Sequence, residues 1–220
     1  MLMGRMITPN TFVFLSIFKW QFNKGWDKLL EAFYTEFDFE YDNVALVILT
    51  KESSESRMDS DIVGYRSIYA DTSYYPAPAV AAKIGIDQDL MPSLYASADA
   101  FVLPFRAETR GRPVLEAMSM RLPVIATNWS GPAEYMTQEN SYPLSVESVH
   151  ASERSVEPSL SELQTLMRHV VENPEEAHAK GDRARKDVLE RFSASSVETS
   201  LMENLRRIDV KMTQQQQQQQ

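Results

Sequence analysis

Residues 104–123 read PFRAETRGRPVLEAMSMRLP, and two carboxylates in this stretch, Glu108 and Glu116, stand with seven residues between them. An ionised carboxylate accepts hydrogen bonds on both oxygens and so suits a hydroxyl-rich ligand. Gly111 admits a backbone angle closed to most residues. Pro113 suits the first turn of a helix whose apolar face is Val114, Leu115, Met118 and Leu122. Unsatisfied N–H groups of such a first turn, those of Val114 and Leu115 among them, favour an anion. Earlier in the chain Lys19 and Lys24 follow an apolar run. Two cations and two acids at one rim could bind a molecule with a phosphate part and a hydroxyl-rich part, a combination that describes a nucleotide sugar.

Each residue also has a plainer reading. Lys19 and Lys24 taken singly fit solvated surface lysines. Glu116 could merely complement a helix dipole, an effect of roughly 0.3–1 kcal/mol. Glu134 fits a structural role at a helix start, and Trp26 and Trp129 fit core packing.

Positioning four such groups requires strands that end near one another. Residues 100–103 form a short apolar run stopped by Pro104, the mark of a buried strand. Residues 11–17 and 44–50 read as two more, the second (VALVILT) continuously apolar as in a parallel sheet covered on both faces. Between them, Trp26, Leu29, Leu30, Phe33 and Phe37 recur at helical spacing and predict a helix over 23–37. Residues 51–78 are rich in Ser, Asp and Tyr without sustained periodicity, and are expected to be an irregular insert hiding a short helix near 62–70. A weak strand is expected over 79–86, a short helix over 91–98 and another strand over 123–127. A loop over 128–131 and a helix over 132–136 then repeat the strand–loop–helix device. Ser159 with Glu162 forms a capping-box pattern, and Asn173 with Pro174 and Glu176 resembles it. Ser193 opens a last helix carrying Val197, Leu201, Leu205 and Ile208. The glutamine run at 214–220 is too polar to repay the entropy of ordering, so 211–220 is expected to be a disordered Gln-rich tail. This alternation predicts an open, mostly parallel α/β sheet with helices on both faces, which binds ligands outside the carboxyl ends of its strands.

Composition narrows the function classes. A net charge of −9 and a pI near 4.9 argue against a phosphate-backbone reader, so no nucleic-acid partner is expected. The chain has no cysteine, and His150, His169 and His178 lack ligand spacing, so a metal-free site is the default. The apolar run at 12–18 is short and followed by Lys19, Trp20 and Gln21. It reads as a strand rather than a signal peptide, and no run approaches the length of a membrane span.

The run LYASADAFVLPFRAETRGRPVLEAMSMRLPVIATNWSGPAEYM resembles the donor-site signature of the retaining GT-B glycosyltransferases, the "glycosyl transferases group 1" family. That family's hallmark is a Glu, seven residues and a Glu, matched by Glu108 and Glu116 between ADAFVLP and LEAMSMRLPVIAT. FVFLSIFKWQFNKGWDKLLEAF is similar to the family's first strand and helix, where an Arg and a Lys five apart hold the diphosphate. Lys24 and Gly25 match the Lys-Gly pair, and Lys19 stands at the Arg position, keeping the charge but losing the bidentate fork.

The resemblance implies a Rossmann-like, donor-binding C-terminal half of a GT-B fold over residues 11–210, behind a leader at 1–10. It implies that Glu108 contacts the donor sugar at the catalytic centre and that Glu116 binds the ribose hydroxyls. Lys19 and Lys24 would hold the diphosphate, with groups from Gly111, Arg112, Val114 and Leu115 assisting. The reaction implied is retaining transfer of a hexosyl group from a UDP- or GDP-sugar, with no cofactor and no obligatory metal. The acceptor would be a glycan, lipid or protein, and an N-terminal domain or partner subunit would help bind it. The expected location is cytoplasmic, or membrane-associated through parts outside this chain.

Two departures stand out. The chain has AETRG where the family often reads GEGWG or GEGFG, so Thr109 and Arg110 add side chains, and Phe18 stands at a usual glycine. They motivate an alternative, a catalytically inactive nucleotide-binding or regulatory module of the same fold. Sugar-nucleotide 2-epimerases and phosphorylases share the architecture but do not usually carry this motif pattern.

Overall fold

The computed structural model describes residues 8–38, 41–51, 55–70 and 79–218. Six parallel strands make the central sheet: β1 (Phe12–Lys19), β2 (Val44–Lys51), β3 (Ala79–Ile84), β4 (Ala100–Leu103), β5 (Val124–Thr127) and β6 (Tyr142–Leu144). Their order is β3-β2-β1-β4-β5-β6. This is a Rossmann-like order, and its direction reverses between β1 and β4, the point where an open sheet of this kind leaves a crevice.

Two helical layers cover the sheet. α1 (Trp26–Glu36) packs against α2 (Glu55–Tyr69) and α5 (Leu160–Glu172). α3 (Met91–Ala96) leads into β4, and α4 (Arg112–Ser119) packs against α6 (Pro174–Phe192). The strands between them are buried on both sides: Phe14, Leu15, Leu46, Ile48, Phe101, Val102, Val124 and Ile125 are fully covered. Leu29, Leu30, Phe33 and Phe37, the stripe expected of α1, lie in the same core. A hairpin of β7 (Val146–His150) and β8 (Ser155–Pro158) lies outside the sheet.

Several expectations are corrected. Most of the expected irregular insert is regular: α2 begins at Glu55 rather than near 62, and it buries Met58 and Ile62 beside α1. Residues 52–54 and 71–78 of that insert, and 1–7 of the leader, lie outside the described residues. The helix expected at 132–136 is a single 3-10 turn, Gly131–Glu134. The Ser159 hydroxyl does accept the Glu162 N–H, but the Glu162 carboxylate takes the Ser145 N–H at 2.7 Å instead of closing the capping box. Asn173 makes no side-chain cap.

The tail differs most. α7 (Ala194–Gln218) starts at Ser193, whose hydroxyl accepts the Ser196 N–H, and continues through Gln218. Residues 211–218 are therefore helical rather than disordered, in keeping with the good helix propensity of glutamine. Val197, Leu201, Leu205 and Ile208 do share a face of α7, but each is more than half exposed.

Candidate functional site

The crevice between the ends of β1 and β4 is shaped first by the turn after β1. Phe22–Lys24 forms one 3-10 turn closed by Gly25, whose N–H bonds the Phe22 carbonyl. Gly25 has φ 69°, and a Cβ there would stand 1.8 Å from the Pro104 carbonyl oxygen. Only glycine lets the turn press on the chain leaving β4. The Asn23 carbonyl accepts N–H bonds from Arg106 and Ala107 at 2.8 and 3.1 Å, joining the two loops.

Arg106 fixes that joint from below. Its buried guanidinium grips Asp27 in α1 at 2.6 and 2.7 Å and Glu157 in β8 at 2.7 and 2.9 Å, and it stacks over the Phe22 ring at 3.9 Å. Burial alone would push the Glu157 carboxyl up, but the Arg106 hydrogen bonds and charge, with help from Lys28, hold it below the usual range. The loop that carries Glu108 thus leaves a clamp of three elements.

Glu108 is surrounded by donors. Its Oε2 accepts from Lys24 Nζ at 2.9 Å, and the same ammonium donates to the Ala107 carbonyl at 3.1 Å. Its Oε1 accepts from the N–H groups of Thr109, Gly111 and Arg110 at 2.9, 3.2 and 3.4 Å. Burial pushes this carboxyl up, yet the Lys24 bond and charge and the Gly111 and Thr109 N–H groups outweigh it and hold it below the usual range. On the far side of the loop the Tyr135 hydroxyl lies 2.9 Å from the Arg110 carbonyl and 3.2 Å from that of Gly111. Gly111, at φ 67°, then turns the chain into α4.

Beside this cluster lies a cavity of about 390 Å³, within the usual size of small-molecule sites, about 300–1,000 Å³. Ile17, Phe18, Met91, Pro92 and Met120 give it apolar walls, and Lys19, Gln88, Arg112 and Glu116 give it polar ones. Phe18, which stands where the family usually has a glycine, is buried and stacked on Trp20 at 5.9 Å while forming one wall. Glu116 lies one turn into α4. Its Oε2 accepts from the Tyr95 hydroxyl at 2.9 Å, and its Oε1 is 3.8 Å from the exposed Arg112 guanidinium.

The expected residues fall into two adjoining groups. Lys19, Arg112 and Glu116 share the cavity, while Lys24, Glu108 and Gly111 are joined by direct hydrogen bonds. Val114 turns its side chain fully into the core, so only its backbone could face a ligand. Leu115 departs from expectation. Its N–H donates to the Gly111 carbonyl at 3.0 Å and is spent inside the helix, because α4 begins one residue before Pro113. Sequence reading missed Tyr95, Arg106 and Tyr135. Nothing local in the sequence marks their partners, which lie 21 to 79 positions away.

As chemistry, the site offers an apolar slot for a flat ring, a carboxylate for neighbouring hydroxyls, and lysines for an anionic group. The model of the family described as "Glycosyl transferases group 1" matches residues 9–157. No match is found among curated proteins. Among solved structures, HepE of Anabaena in complex with UDP-glucose is 18% identical with a TM-score of 0.69, over 89% of this chain and 49% of its own. Sucrose-phosphate synthase of Thermosynechococcus elongatus is 18% identical with a TM-score of 0.70, over 91% and 46%. The C-terminal domain of a group 1 glycosyl transferase (LpcC) of Francisella tularensis is 17% identical with a TM-score of 0.66, over 83% and 87%. The chain therefore spans about half the length of the first two and most of the isolated C-terminal domain.

Proposed function

The chain belongs to the glycosyl transferases group 1 family, and from that premise we propose that it binds a nucleotide-sugar donor in the crevice between β1 and β4. In this reading it acts as the donor half of a retaining transferase moving a hexosyl group from a UDP- or GDP-sugar. The observation that carries the proposal is the cavity itself: apolar walls and the Glu116 carboxylate open beside the Lys24–Glu108 cluster, at the sheet's switch point.

Each residue then has a task. The base lies between the apolar walls, and Glu116 accepts from the ribose hydroxyls. Lys19, Lys24 and the N–H groups of Arg112 and Val114 meet the diphosphate, whose charge grows as it leaves. Charge on the leaving group is met by lysines, so transfer needs no divalent ion and persists in EDTA. Glu108 turns from Lys24 to the hydroxyls of the donor sugar. The acceptor hydroxyl replaces the diphosphate at the anomeric carbon on the same face, and its proton departs with the diphosphate. The acceptor, a glycan, lipid or protein, is held largely by a second domain or subunit.

Calorimetric titration of the full chain with UDP, GDP and their hexose conjugates tests the reading. Micromolar binding of one nucleotide, weakened tenfold or more by Glu116→Ala, is the expected result. Absence of binding by either nucleotide, or indifference to Glu116→Ala, would overturn it.

A further inference from the structure

Glu116 is not alone in its cavity. The Tyr95 hydroxyl lies 2.9 Å from its Oε2, whereas the nearest backbone acceptor, the Pro113 carbonyl, is 3.5 Å away. A buried tyrosine needs one partner for its O–H. Here that partner is a cavity-lining carboxylate rather than the carbonyl also within reach. The ring is held by the core: Tyr95 is 3% exposed, and its ring centroid is 6.3 Å from that of Phe101 in β4. The donor is thus fixed to the sheet and the acceptor to α4.

Resting on the donor-site reading above, we infer that Tyr95 is a positioning residue that holds Glu116 ready for the ribose diol. Its hydroxyl occupies one acceptor position on Oε2 and leaves the others, on both oxygens, for a ligand. A glutamate on a helix surface otherwise samples several rotamers, and arresting it before binding removes that entropic cost from the binding step. Arg112 does not do this work, since its guanidinium is exposed and 3.8 Å from Oε1. Burial, and then the Glu116 charge and hydrogen bond, push the Tyr95 hydroxyl above its ordinary pKa, so it remains a donor over the working pH range. The consequence is selectivity for ribonucleotides, built by a residue that need not touch the nucleotide.

Tyr95→Phe removes one oxygen and keeps the ring. Calorimetry of the full chain with UDP and GDP, each beside its 2′-deoxy form, measures its effect. The expected result is about a 5–10-fold loss for the ribonucleotide that binds, a smaller loss for its deoxy form, and a melting temperature near that of the parent. In a Glu116→Ala background, where Tyr95 has no side-chain oxygen at 116 to hold, Tyr95→Phe should change affinity less than twofold. Glu116→Asp, which draws the carboxylate back from an intact Tyr95, should lose the same ribose selectivity and does not depend on how the phenylalanine variant folds. If Glu116→Ala weakens binding while Tyr95→Phe leaves affinity and selectivity unchanged, the inference fails and the donor site stands. Equal losses in both backgrounds would mark a structural tyrosine and overturn it. If Glu116→Ala binds like the parent, the donor-site reading fails and the inference falls with it.

Discussion

Glu108 is the residue whose surroundings say most about the order of events. Lys24 and the N–H groups after it are natural holders of an anion, and at present they hold the chain's own carboxylate. A donor diphosphate that uses Lys24 must compete with Glu108. Glu108→Gln removes the competing charge, so UDP alone should bind about 3–10-fold more tightly, as expected for the loss of one charge-assisted contact. The same variant should lose the preference for UDP-sugar over UDP, because the amide is a poorer acceptor for sugar hydroxyls. Unchanged or weaker UDP binding on titration would refute the competition. At this scale the sequence is legible where chemistry is local: type and spacing single out Glu108, Lys24 and Gly111, which the fold joins in one hydrogen-bonded cluster. Arg106 was not, since its partners Asp27 and Glu157 lie 79 and 51 positions away, and an arginine beside a proline-ended strand looks like surface charge.

Between elements, Arg106 links α1, the loop after β4 and the outer hairpin. Its side chain and that of Asp27 are only 7% and 10% exposed. Truncating one partner of a buried pair leaves the other unpaired, at a cost of about 3–5 kcal/mol. Arg106→Gln should therefore lower unfolding stability by that order in urea titration, and it should weaken nucleotide binding by loosening the loop under Glu108. A midpoint within error of the parent would contradict the clamp. The strands at 100–103 and 124–127 could be read from short apolar runs between turn residues, and α1 from its stripe. β6 and the hairpin could not. YPL is too short for alternation, and β7, VESVH, has a largely exposed face, so neither carries the apolar pattern by which strands are recognised. Only the second half of α2 is expected from the sequence, because the helix is weakly amphipathic: Met58 and Ile62 are buried, while Tyr65 and Tyr69 pack against the core only in part. The glutamine run was misread by weighing polarity against burial while ignoring that a helix can extend from a turn already formed.

Over the whole molecule, pH acts in two opposed ways. The chain carries a net charge of −9, and acidification toward the pI near 4.9 relieves self-repulsion. Against this stand carboxylates held low by partners. Burial raises Asp42, Glu108 and Glu157, but Arg168, Lys24 and Arg106 respectively outweigh it. A carboxyl whose pKa is lower folded than unfolded adds stability above the unfolded value, here 3.8 for Asp and 4.5 for Glu, and loses it as pH falls through the folded one. The melting temperature should accordingly hold or rise slightly from pH 7 to about 5 and drop below about 4. Arg168→Gln should flatten the acid limb, and scanning calorimetry across that range checks both. The alternation of strands and helices gave the class of fold, but the order of the strands depends on pairings no local pattern encodes.

The crevice also lies over the narrowest seam in the sheet's first half. β1 and β2 are paired over eight residues, while β1 and β4 are paired only at Phe14↔Ala100 and Leu15↔Phe101. Asp99 and Ser16 add bonds across it, to Val13 and to the Val102 carbonyl. A molecule seated between Lys24 and Glu116 would bridge the two sides as a removable staple, so occupancy becomes a mechanical property of the sheet. Saturating nucleotide should slow amide hydrogen exchange at Leu15 and Phe101 more than in β2, by an amount set by its affinity and concentration. Equal slowing in both strands would mean that the seam opens only when the whole molecule unfolds.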